Sequence, residues 1–114
     1  MELAFKDIAE SDMILIRTQN SEYRFAITDP EGRRGILSGG SLGDQRRDAN
    51  LVGALPESGA AIVGDTSKLK TGSRALFYLS AKKGIERLIT SVITGINHRS
   101  NRQGGNRGEE KRAA

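Results

Sequence analysis

The sequence has no cysteine, no tryptophan, a single histidine, two prolines and only five aromatic residues, Phe5, Tyr23, Phe25, Phe77 and Tyr78. Without cysteine there is no disulfide framework, no thiolate metal site and no catalytic thiol. One histidine, His98, excludes a histidine-cluster metal site, and no loop spaces its carboxylates as a hard cation requires. No cofactor or metal is therefore expected. Long apolar runs are missing as well. The longest charge-free stretch, Leu88 to His98, falls far short of the roughly 20 residues that cross a bilayer as a helix. The N-terminal stretch MELAFKDIAESD mixes charge into every turn and does not read as a secretory leader. The expectation is a cytoplasmic protein that does not engage a membrane.

What is present divides the chain. With 114 residues there is room for one domain. Residues 13–97 read as short strands separated by Gly-rich turns, preceded by an uncertain lead-in, 1–12. From His98 onward the sequence HRSNRQGGNRGEEKRAA has no apolar residue larger than alanine, which predicts a disordered basic tail over 98–114. Of the 18 basic and 14 acidic residues, the stretch before His98 holds 13 and 12. Most of the net charge of +4 therefore belongs to the tail.

Met13-Ile14-Leu15-Ile16-Arg17-Thr18 is an apolar, β-branched run suited to a buried strand. Glu22 to Thr28 alternates, with Tyr23, Phe25 and Ile27 on one side, the signature of a half-buried strand. Asp29-Pro30-Glu31-Gly32 carries the type I turn preferences, and Arg33 to Ser38 returns as a third strand. Leu51 to Leu55 and Ala60 to Val63 read as two further short strands, with Gly53 marking a bulge or corner. Arg74 to Leu79 reads as a strand leading through Lys82-Lys83-Gly84 into residues 85–97. There Ile85, Leu88, Ile89, Val92, Ile93 and Ile96 fit a helical period, but the wealth of Ile, Val and Thr and the short turn before them favour a strand. The pattern predicts an all-β fold, a small antiparallel barrel of about five to seven short strands. The alternative is an α+β fold with 85–97 helical.

The stretch from Gly35 to Gly43 invites a phosphate-loop reading, yet no lysine follows it and no βαβ unit surrounds it. Its Ser38-Gly39-Gly40 is similar to the Ser-x-Gly-Gly segment of PilZ domains, small barrels that bind cyclic dinucleotides. Ile36 stands where that pattern has Asp or Asn, Ser41 where it has Gly, and no Arg-x-x-x-Arg pair precedes it. That function is not carried over, and the glycines read as turn residues.

Paired basic residues recur at Arg33-Arg34, Arg46-Arg47 and Lys82-Lys83, and the tail adds Arg99, Arg102 and Arg107. These nine are the candidate site residues: loops gathered at one end, with a basic arm, would grip nucleic-acid phosphates. Enzyme chemistry has less to draw on. Thr90, Ser91 and Thr94 have no evident base, and Asp44, Asp48 and Asp65 cannot be placed together. The expected function is a non-catalytic binding module contacting the backbone of RNA or DNA. The alternative is a protein-interaction or self-assembly module that uses exposed strand edges.

Overall fold

A computed structural model describes residues 1–58 and 66–100. Nine strands occur among them: β1 (Glu2–Ala4), β2 (Met13–Thr18), β3 (Glu22–Asp29), β4 (Arg34–Gly39), β5 (Arg47–Leu55), β6 (Lys68–Lys70), β7 (Arg74–Ala81), β8 (Gly84–Ile89) and β9 (Ile93–Arg99). Seven form one antiparallel sheet in the order β8-β7-β5-β4-β3-β2-β9, and β1 pairs with β6 in a second, small sheet. No α-helix is present among the described residues, only two short 3₁₀ turns, Phe5–Asp7 and Gly40–Leu42. The helical alternative for 85–97 is overturned.

That segment is not one strand either. It pairs first with β7 as β8, breaks at Thr90–Val92, then pairs with β2 as β9. The break has a cause. The Thr90 hydroxyl accepts the Ala75 N–H and donates to the Ser91 carbonyl, while the Ser91 hydroxyl donates to Thr18 Oγ1 at 2.7 Å. Hydroxyl bonds to Ala75 and Thr18, both distant in sequence, hold the break in place.

The break also shapes the sheet. Laid flat, seven strands would set the two edges about 29 Å apart at ~4.8 Å per spacing. The four steps from Ile89 to Ile93 span at most about 14 Å. The sheet must therefore curl until its edges meet at one corner. There Ile93, in register with Thr18, also donates to the Ser73 carbonyl at 2.8 Å and accepts the Gly72 N–H at 2.9 Å. β8 and β9 do not pair with each other, so the sheet remains open.

The curled sheet buries one face. Ile14, Ile16, Tyr23, Phe25, Ile27, Leu37, Leu51, Phe77 and Leu79 fill it, and Phe25 meets Phe77 edge-on at 5.2 Å. The alternation read from Tyr23-Phe25-Ile27 is the observed burial pattern. Gly35 leaves room for this core: a Cβ there would stand 3.0 Å from Phe25 Cε1 and would overlap the Ala26 carbonyl. The register of β5 against β7 shifts between Leu51 and Gly53, the bulge the glycine suggests.

The lead-in belongs to the fold. β1 pairs with β6, the Phe5 N–H bonds to the Ser67 carbonyl, and Leu3, Phe5 and Ile8 are buried. At the other end, His98 and Arg99 continue β9 opposite Ile14 and Met13, past the point where the sequence suggests a tail. The expected strand Ala60 to Val63, Asp65 and the tail beyond Ser100 lie outside the described residues.

Candidate interaction surface

Cross-strand partners in an antiparallel ladder share a face. Phe77 and Leu79 face the core, so their partners Leu88 and Glu86 lie on that side of β8. Tyr78 and Ser80 face outward with Arg87 and Ile85. Phe77 and Tyr78 thus point to opposite faces, as adjacent strand residues must. The outer face of the hairpin carries three of the large exposed apolar side chains: Ile85 at 72% exposure, Ile89 at 41% and Tyr78 at 41%. No residue of β8 is buried. The strand is bonded on one side, to β7, and no backbone bond reaches its other side among the described residues. Among the described residues it is an edge strand with unpaired main-chain donors and acceptors.

Its position is fixed by charge. Arg47 Nη2 donates to the Ser80 carbonyl at 2.8 Å and to Glu86 Oε1 at 2.9 Å, tying the start of β5 to both strands of the hairpin. Glu86 is thereby ion-paired. Lys82, Lys83 and Arg87 are exposed and have no ion pair among the described residues. Beside the hairpin lies an open groove of about 550 Å³, lined by Arg34, Asp48, Asn50, Tyr78, Ser80 and Ile85 among others.

The predicted basic pairs are only partly gathered. Arg46-Arg47 and Lys82-Lys83 lie at the same end of the sheet, since Leu37 pairs with Arg47 and Ala49 with Leu79. Arg33-Arg34 lies at the other end of β4, with Arg34 in register with Asn50 and Tyr78. Two of the six arginines and lysines in these pairs are also committed within the fold. Arg33 lies over the Phe5 ring at 4.8 Å and donates to the carbonyls of Val52 at 3.3 Å and Thr66 at 2.5 Å. Arg47 forms the clamp on the hairpin. Arg34 points outward into the groove, Arg46 lines a separate recess beside Arg24 and Asp44, and Arg99 is exposed on β9. Arg102 and Arg107 lie outside the described residues.

The Gly-rich stretch serves as a turn. Gly39, Gly40 and Gly43 all have positive φ, and Gly40 packs against the Tyr23 ring so closely that a Cβ would overlap it. The Tyr23 and Ser41 hydroxyls lie 3.3 Å apart across the turn.

One pair was not legible in the sequence. Asp12 is fully buried, accepts the Ala9 N–H at 2.9 Å and lies 2.7 Å from His98 Nε2. His98 Nε2 and Asp12 Oδ2 thus share one hydrogen bond. The pair ties the lead-in to the last strand across 86 residues of sequence. No group of three or more metal-ligating side chains occurs among the described residues, and no helix there is long and apolar enough to cross a membrane. No protein-family model, curated protein or solved structure matches the chain.

Proposed function

We propose that the protein is a non-catalytic, cytoplasmic binding module that recruits an extended protein segment along β8. The observation that supports this reading is the exposure of the outer face of β8 together with an outer edge that is unpaired among the described residues. In this reading the curled sheet is a small barrel closed through Ile93, and the β7–β8 hairpin is its docking arm. A partner strand would take main-chain bonds from β8 and cover Ile85 and Ile89. Site-directed photocross-linking in cells tests it. A benzoylphenylalanine in place of Ile85 or Ile89 should capture a protein that the same probe at Glu31 does not. Equal adducts at all three positions, or none, would refute the docking arm.

A second reading keeps nucleic acid as the ligand, favoured by Arg46, Lys82 and Lys83 at one end of the sheet. Contact with about three phosphates of a duplex should give a log–log salt slope near −3. Anisotropy with labelled RNA and DNA measures this. A flat salt response, or affinity unchanged by Arg46→Glu and Lys82→Glu, removes that reading.

A further inference from the structure

We infer that the segment recruited by β8 is acidic and comes from another protein, not from a second copy of this chain. The inference rests on the strand-pairing reading above and adds the chemistry of the partner.

Three features of the edge carry it. An unpaired strand offers alternating N–H and C=O groups, which another peptide strand complements and a nucleic-acid backbone does not. The charges of β8 and its turn that have no ion pair among the described residues are of one sign. Lys82, Lys83 and Arg87 have no ion pair among the described residues, while the single acid of the strand, Glu86, is held by Arg47 on the opposite face. The outer face, finally, repeats in steps of two: Lys83 in the turn, then Ile85, Arg87 and Ile89. An antiparallel partner that matches it reads apolar, acidic, apolar, acidic at every second residue.

A second copy cannot supply that pattern. Two identical strands related by a two-fold axis pair antiparallel with one residue opposite itself, because cross-strand neighbours must share a face. The two registers that engage all of β8 are centred on Arg87 or on Glu86. The first sets Arg87 against Arg87. The second sets Ile85 against Arg87, and Ile89 against Lys83, in both halves. The second opposes cations to isoleucines, whereas the first opposes like charges at its centre and pairs Ile85 with Ile89 on either side. The charges on this edge thus favour a partner of opposite sign over the chain's own copies.

The test is a nuclear magnetic resonance titration of the full chain with a capped heptapeptide, Val-Thr-Glu-Thr-Val-Thr-Glu. Its counterpart has lysine at both glutamate positions, and a third version is N-methylated at alternate amides. The glutamate peptide should shift the amides of residues 84–89 and leave β3 unmoved. The lysine peptide should bind about tenfold more weakly, and N-methylation should abolish the shifts. Lys83→Glu with Arg87→Glu should reverse the preference, with unchanged β2–β4 resonances showing that the fold is intact. Equal shifts from the glutamate and lysine peptides would overturn the acidic partner while leaving the strand-pairing reading standing. No shift at 84–89 with either peptide would overturn both. Concentration-dependent shifts of these amides without peptide would identify a second copy as the occupant and overturn the inference.

Discussion

β3 is hydrogen-bonded on both sides, to β2 and β4, and buries Tyr23, Phe25 and Ile27 on one face. Among the described residues β8 is bonded on one side only and contributes no buried residue. Both are β-rich by composition, and in Glu86-Arg87-Leu88-Ile89 the polar and apolar residues do not alternate as they do from Glu22 to Ile27. The contrast shows two ways of holding a strand. β3 is fixed by the apolar area that it removes from water, the strongest driving force in folding. β8 is fixed by its ladder with β7, by Leu88 packed against the core and by the Arg47 clamp, none of which covers its outer edge or outer face. A strand held in this way is free to be covered by something else.

The contrast is sharpest where it is broken in the core. Phe25→Ala removes a fully buried ring and its edge-on contact with Phe77, and should cost about 3–5 kcal/mol of unfolding free energy in urea titrations. Asp12→Ala leaves the Ala9 N–H and the His98 imidazole without their buried acceptor, and should cost roughly 1–3 kcal/mol by the same measurement. At the hairpin the effects shrink. Arg47→Ala removes an ion pair to a largely exposed Glu86 and one bond to the Ser80 carbonyl, and should cost only about 1 kcal/mol. Its signature is local: faster amide exchange in β8 with β3 unaffected. Ile85→Thr keeps a β-branched residue at an exposed site, and its stability should stay within about 0.5 kcal/mol of the parent in the same titration. A large loss for Ile85→Thr would mean that the side chain is covered in the folded protein.

The sequence reveals the strands that alternate and the turns that carry steric signatures. A turn forms after Asp29, but one residue later than the residues imply: the Arg33 N–H bonds to the Pro30 carbonyl, while the Gly32 N–H goes to the Asp29 side chain. Gly53 marks a bulge for a local reason too. What stays hidden is non-local. The break at Thr90–Val92 depends on Thr18 and Ala75, far away in the chain. His98 reads as the start of a polar tail because nothing nearby shows that Asp12 waits for it beneath Ile14. Arg33 and Arg47 read as free surface charge for the same reason: their acceptors, Val52, Thr66, Ser80 and Glu86, come from other strands and turns. The exposure of β8 is legible only once the strand order places it at an edge.

Site-resolved amide hydrogen exchange of the free protein would test the central claim most directly. If the outer edge of β8 is open, every second amide from Gly84 to Ile89 should exchange at nearly the rate of an unstructured peptide. The amides between them, and those in the centre of β3, should be protected. Uniform protection along β8 would contradict the account, because it would mean that the edge is already paired.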